Sequence, residues 1–171
     1  MQEISYCGQE VYRYDRGLFL RALAVPEPER EALLALYALA VELSKIHDNV
    51  TEEMIGHIRY AWWQESVEGL YTGSQPHGQP VLEALAPLVA AGKLPREALI
   101  PLVEEYREHF PLVPPELDLA VKKVSLAVIR ALKPDAESSW CKADSLITAH
   151  RRRYGRRLHV WLLLKLLASS F

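Results

Sequence analysis

The chain is poor in features that define several protein classes. It has only two cysteines, Cys7 and Cys141, among 171 residues. Two thiols build neither a disulfide framework nor a cysteine metal site, so we expect reduced, intracellular thiols. No apolar run approaches the roughly 20 residues that a membrane-spanning helix needs. The first residues include an early acid and no apolar segment, which argues against a secretory signal.

The sequence also lacks the common motifs of catalysis and of nucleic-acid binding. Six histidines, at positions 47, 57, 77, 109, 150 and 159, show no spacing typical of metal ligands. There is no glycine-rich phosphate loop. The formal net charge of −2 gives no overall attraction to nucleic acid or to anionic lipid. Any such attraction must come from a local cluster of basic residues, and we expect no nucleic-acid partner.

What the sequence does have is helical periodicity along almost all of its length. Apolar residues recur at spacings of three and four, strand-like alternation is essentially absent, and eleven prolines separate the segments. Predicted helices cover residues 15–25, 27–47, 52–71, 79–91, 95–110, 115–132, 135–153 and 155–169. The length and the balance of apolar and charged residues suit one globular domain. We therefore predict an all-α fold and a single domain over residues 1–171.

The segment from Ala35 to Val50 is the part of the sequence in which a binding or catalytic site is considered first. Leu36, Leu39, Leu43 and Ile46 form one stripe of the predicted helix. A second, semi-polar stripe lies about 100° away and comprises Tyr37, Val41, Ser44 and Asp48. The first stripe is typical of a core. On pattern alone the second is more typical of the ordinary polar edge of a helix, and it is also compatible with a cavity wall.

This segment resembles the first conserved region of squalene and phytoene synthases. In that family a helix carries aspartates at i and i+4, which bind magnesium and through it a prenyl diphosphate. Such a pair lies on one helical face, and Mg²⁺ prefers carboxylate oxygens. The resemblance aligns the two aspartates with Ser44 and Asp48, the acid next to the first with Lys45, and an arginine with Val41. Asp48 is therefore the single weak candidate for a metal ligand.

The resemblance extends over about residues 15–102. The matching positions are Arg59, Trp62, Trp63, Gly73, Pro80 and Val81. The paired tryptophans resemble a non-catalytic branch of the superfamily, which contains a mitochondrial complex I assembly factor and its bacterial relatives. We expect at least one tryptophan of the pair to pack in the core. Residues 103–149 are predicted to be divergent helices without the second acidic motif, and Glu104 and Glu108 are interpreted as a solvated face.

The resemblance implies a shortened, isoprenoid-synthase-like helical bundle. It also implies a remnant cavity between residues 35–48 and 55–70 that could hold an isoprenoid or lipid tail. The candidate lining residues are Tyr37, Val41, Ser44, Asp48, Arg59 and Trp63. No catalytic residue is assigned and no cofactor is expected. Magnesium enters only if the chain is a prenyltransferase.

Residues 150–171 combine a basic cluster with a short apolar stretch. The candidate membrane-binding residues are Arg151, Arg152, Arg153, Arg156, Arg157 and Trp161. A basic cluster beside such a stretch is typical of an interfacial membrane segment. The same pattern is equally typical of a terminal helix docked into the core with its arginines in solvent.

Three functions remain open at this stage. The favoured one is a non-catalytic member of the superfamily that binds protein or lipid, in the manner of complex I assembly. The second is a magnesium-dependent prenyl diphosphate transferase. The third is a peripheral membrane module. The expected location is the cytoplasm or the matrix side of a membrane, with peripheral attachment as an open question.

Overall fold

The structure, a computed structural model, describes residues 4–74, 76–112 and 116–154, without the side chains of 116–119 and 152–154. Within these ranges the chain forms eight α-helices and one short 3₁₀ turn, and no strand. The helices are α1 Tyr6–Tyr14, α2 Arg16–Leu23, α3 Glu29–Asn49, α4 Glu53–Tyr71, α5 Pro80–Ala90, α6 Arg96–His109, α7 Glu116–Leu132 and α8 Glu137–Tyr154. The 3₁₀ turn covers Pro134–Ala136. The predicted all-α helical bundle is confirmed.

Several helix ends follow local capping chemistry. The Asp15 carboxylate accepts hydrogen bonds from the backbone N–H groups of Gly17 and Leu18, at 2.8 and 3.0 Å, and so caps the N-terminus of α2. The Gln79 side chain caps α5 in the same way, and Pro80 takes the first helical position. Gly73 ends the turn after α4 with a φ of 87°, a conformation that favours glycine.

Some predicted boundaries are wrong. Helix α1 was not predicted, and its nine residues include a glycine and few apolar side chains. Helix α3 runs to Asn49, two residues past its predicted end, and Glu52 precedes α4 without a side-chain cap. The segment predicted as one helix over 135–153 begins as the 3₁₀ turn and continues as α8. The helix predicted over 155–169 lies outside the described residues.

Helix α3 is the central element of the bundle. It packs against α1, α2, α4, α5, α6 and α7. Residues 32–41 are all buried, so this part of the helix is enclosed on every side. A helix that is apolar all round belongs in the middle of a fold. In its last two turns α3 carries polar side chains instead, among them Glu42, Ser44, Lys45 and Asp48.

The later helices join the same interior through polar contacts. Trp140 of α8 donates its indole N–H to the Tyr37 hydroxyl of α3 over 3.0 Å. The fully buried Arg21 of α2 places its Nε 2.8 Å from the Asp144 carboxylate of α8. A buried charge is tolerated where it is paired in this way. Helix α8 is thus anchored to both α2 and α3.

A helix that crosses a bilayer must be about 20 residues long and largely apolar. None that the structure describes is both long enough and apolar enough to cross a membrane.

Candidate functional site

The candidate site lies at the C-terminal end of α3, where Ser44, Lys45 and Asp48 follow one another. The Ser44 hydroxyl donates to the Ala40 carbonyl at 2.8 Å. It also lies 3.1 Å from the Tyr106 hydroxyl of α6. Because the Ser44 hydroxyl already donates its proton to the Ala40 carbonyl, the Tyr106 hydroxyl is the donor in the second hydrogen bond. Ser44 therefore bridges two helices.

Lys45 is held between two carboxylates. Its Nζ lies 2.7 Å from Glu10 of α1 and 2.7 Å from Glu42 of α3. Partial burial lowers the pKa of Lys45, but hydrogen bonds and charge attraction from Glu10 and Glu42 outweigh it, so the net pKa is raised. The ammonium group stays charged and joins α1 to α3. This position, an acid in the synthase pattern, carries a fixed positive charge.

Asp48 contacts the end of α1. The Tyr14 hydroxyl donates to the Asp48 carboxylate. Nearby, the fully buried Tyr60 of α4 donates its hydroxyl to the Leu43 carbonyl at 3.0 Å. Burial above all, and then the neighbouring Tyr106 and Asp48, raises the pKa of Tyr60 far above its ordinary value. Asp48 thus lies beside the hydroxyls of Tyr14 and Tyr60 and not beside a second carboxylate of the motif.

An aromatic plug lies beside this group. The Phe110 ring, just after α6, packs edge-on against His47, His57 and Tyr60, with ring centroids 5.7, 5.5 and 5.6 Å away. Gly56 of α4 makes this approach possible, because a Cβ there would lie 2.3 Å from the Phe110 ring. The junction of α3, α4 and α6 is therefore tightly packed.

The remaining predicted lining residues are scattered. Tyr37 and Val41 are buried in the core. Burial raises the pKa of Tyr37 to about 12, although hydrogen bonds from Ser125 and Trp140 oppose the shift. Trp63 is buried and Trp62 is half exposed, which confirms the expectation that at least one of them packs in the core. Arg59 lies exposed on the outer side of α4.

The α3–α4 interface contributes buried side chains to the core. Val41, Tyr60 and Trp63 belong to one continuous core cluster. The cavity for a lipid tail between these helices stays a prediction.

The donor set at the end of α3 fits magnesium poorly. A magnesium site needs oxygen ligands with negative charge. Ser44 offers a hydroxyl already in use, Lys45 offers a cation, and only Asp48 offers a carboxylate. Among the described residues, histidine, cysteine, aspartate and glutamate form no group of three or more that could hold a metal ion.

One of the six candidate membrane-binding residues has a partner inside the fold. Arg151 of α8 pairs with the Asp15 carboxylate that caps α2. The side chains of Arg152 and Arg153, and the residues Arg156, Arg157 and Trp161, lie outside the described structure. The membrane assignment of these five residues stays a prediction.

Sequence reasoning missed the partners that complete the site. These partners are Glu10, Tyr14, Tyr106 and Phe110. The first two are spaced i and i+4, so they share a face of α1, but α1 itself was not predicted. A helix prediction for residues 6–14 would have exposed this pair as a candidate contact with α3.

The described residues form an all-α bundle that carries this site on its central helix. The sequence profile of the squalene/phytoene synthase family matches residues 11–120. The match covers well over half of the chain, which therefore belongs to the squalene/phytoene synthase family. No solved structure matches the chain significantly.

The curated relatives that the chain resembles carry one name. The chain is similar to "NADH dehydrogenase (ubiquinone) complex I, assembly factor 6" from human, cattle and mouse, with 34%, 33% and 32% identity over 104 residues. The similar stretch covers 61% of this chain and 31% of each relative. The match thus spans about a third of the length of these relatives.

Proposed function

We propose that this chain acts without catalysis, by binding protein partners during the assembly of respiratory complex I. The observation that carries the proposal is the set of internal contacts at the family's metal-binding positions. Ser44 bonds to Tyr106, Lys45 pairs with Glu10 and Glu42, and Asp48 accepts from Tyr14. These groups stabilise the packing of helices and leave a single carboxylate for a metal.

Electrostatics at Lys45 support the absence of turnover. A prenyl diphosphate would arrive with magnesium ions, and their positive charge would meet the ammonium group that Glu10 and Glu42 hold in place. Like charges at close range are unfavourable. Moving the ammonium group away would break both ion pairs. A lipid tail is no part of the proposal, because Val41, Tyr60 and Trp63 are buried.

The names of the curated relatives support the choice of partner. They are complex I assembly factors, and they share 32–34% identity with this chain over 104 residues. Under the proposal, the chain works on the cytoplasmic or matrix side of the membrane that contains complex I. Peripheral attachment through Arg152 and the arginines that follow it is an additional, separable element.

A deletion experiment tests the assembly role. The gene is deleted in the native host, and NADH:quinone and succinate:quinone activities are measured in isolated membranes. We expect NADH:quinone activity to fall, succinate:quinone activity to stay unchanged, and expression of the wild-type chain to restore the first. Unchanged NADH:quinone activity in the deletion would contradict the assembly role.

A product assay tests the absence of catalysis. The purified chain is incubated with Mg²⁺ and farnesyl or geranylgeranyl diphosphate, and the extract is analysed for squalene, phytoene or a presqualene-type product. We expect none above the level without protein. Any such product formed in a magnesium-dependent way would favour the prenyltransferase alternative.

A further inference from the structure

Helix α4 has two apolar faces, and the residues that the structure describes cover one of them. Tyr60, Trp63 and Val67 point into the core and are buried. On the opposite side, four apolar residues are exposed, which we name the outer stripe: Met54 by 76%, Ile55 by 41%, Ile58 by 62% and Trp62 by 48%. Met54, Ile58 and Trp62 are spaced at i, i+4 and i+8, so they form one line along the helix. A contiguous exposed apolar surface of this kind marks an interaction site.

The outer stripe leads into a groove. Trp62 also lines a groove of about 330 Å³ between α4 and the turn before α5. Glu65 lies on the α4 wall of this groove, and His77 lies in its lining. Because Glu65 follows Trp62 by three residues, it lies on the same side of α4. The apolar line therefore ends at an exposed carboxylate.

Charge around the stripe indicates the chemistry of its occupant. Residues 52–65 contain three carboxylates, Glu52, Glu53 and Glu65, and one guanidinium, Arg59. The acids lie before and after the apolar line, which is about 12 Å long at the helical rise. An anionic membrane surface would be repelled by this excess of negative charge. A partner with basic residues at its ends would be attracted.

We propose that the outer stripe docks an amphipathic helix of a partner protein. The apolar face of that helix covers Met54, Ile58 and Trp62, and a lysine or arginine beyond it reaches the Glu65 carboxylate in the groove. Laying an apolar helical face into such a surface is a common recognition mode. This inference rests on the proposed function for the kind of partner and adds the surface and its specificity.

Two synthetic helical peptides with the same leucine face test the proposal. One carries lysines at its ends and the other carries glutamates there; both are labelled and titrated with the full chain by fluorescence anisotropy. We expect the lysine peptide to bind about tenfold more tightly. Ile58→Lys should weaken it by about tenfold or more. Glu65→Lys should abolish most of the preference for the lysine peptide, because it leaves two carboxylates against two cations around the stripe.

Leu23→Lys is the matched control. Leu23 is an exposed apolar residue of α2, which packs against α1, α3 and α8. We expect this variant to bind both peptides as the wild type does. Far-ultraviolet circular dichroism checks that all variants keep the helical content of the wild type.

Several results would overturn the proposal. Equal binding of the two peptides, or unchanged binding by Ile58→Lys, would show that the stripe is not a docking site for a basic helix. Flotation with phosphatidylcholine–phosphatidylglycerol vesicles that Ile58→Lys abolishes would assign the stripe to a membrane. A dimer in sedimentation velocity that Ile58→Lys dissociates would assign it to a second copy.

The deletion host separates this inference from the proposed function. If wild type restores NADH:quinone activity and Ile58→Lys does not, both stand. If Ile58→Lys restores activity as well as wild type, the docking surface is wrong and the assembly role stands. If wild type itself fails to restore activity, the assembly role is wrong, and the peptide titrations still decide the binding chemistry of the stripe.

Discussion

The end of α3 and the outer face of α4 are neighbouring regions with opposite character. At the end of α3, Ser44, Lys45 and Asp48 each contact a side chain from another helix. On the outer face of α4, Ile58 and Trp62 face solvent. The first region is where the family resemblance implies chemistry, and there each of the three side chains is held by another helix although Asp48 is exposed. The apolar surface that the described part of α4 exposes thus lies away from the family's motif positions.

The largest loss of stability should come from a substitution at Gly56, where the Phe110 ring packs against α4. Gly56→Ala would place a Cβ 2.3 Å from the Phe110 ring, so the buried aromatic plug must shift. We expect the free energy of unfolding to fall by about 2 kcal/mol. Urea denaturation followed by circular dichroism measures it.

Gly69→Ala is the control on the same helix. Among the described residues its Cβ would meet the Ser74 side chain at 3.3 Å and nothing nearer, and alanine favours a helix over glycine by up to about 1 kcal/mol. We expect unchanged or slightly higher stability. Equal behaviour of the two variants would show that the Phe110 contact does not close this region.

Removing the charge of Lys45 should have the next largest effect. Lys45→Met leaves Glu10 and Glu42 without their shared cation, and we expect a loss of about 1 kcal/mol for these partly exposed pairs. The pKa of Lys45 is raised in the folded state, so its contribution is complete below the unfolded value of about 10.5 and disappears as pH rises through the folded value. Urea denaturation of both proteins between pH 7 and pH 11.5 should show the difference shrinking only above about pH 10.5. A pH-independent difference would contradict the ion pairs.

The bond between Ser44 and Tyr106 should contribute less. A double-mutant cycle with Ser44→Ala and Tyr106→Phe should give a coupling energy between about 0.5 and 1 kcal/mol, since one hydroxyl pair links two helices. Chemical denaturation of the four proteins measures it. Full additivity of the two substitutions would indicate that the hydroxyls do not interact.

The smallest effect on stability is expected in the open region. Ile58→Lys changes a side chain that is 62% exposed, so the free energy of unfolding should stay within about 0.5 kcal/mol of wild type. Thermal and urea denaturation measure it. A large loss would mean that Ile58 is part of the folded core and would remove the contrast between the two regions.

The sequence predicted the positions of the helices better than the contacts between them. Periodicity and proline positions predicted α5 and α6 to within a residue or so, because the signals are local. The pairing of Lys45 with Glu10, 35 positions away, and of Ser44 with Tyr106, 62 positions away, depends on how helices pack. No local pattern encodes that register. Helix α1, which supplies two of the contacts, is only nine residues long and was not predicted.

Helix α4 shows the same limit within one element. Its apolar residues follow two helical lines, one through Tyr60 and Val67 and one through Met54 and Ile58. The period establishes a helix but does not say which line meets the core. The paired Trp62 and Trp63 illustrate this, since adjacent positions point to different sides of a helix and only Trp63 is buried.

Calorimetric titration of farnesyl diphosphate, with and without Mg²⁺, tests the loss of the metal site most directly. Wild type should show no magnesium-dependent binding, because Asp48 is the only carboxylate left at the motif and accepts a bond from Tyr14. Asp48→Ala removes that carboxylate, and Tyr14→Phe frees it while keeping it in place. Magnesium-dependent binding by wild type that Asp48→Ala abolishes and Tyr14→Phe preserves would contradict the account.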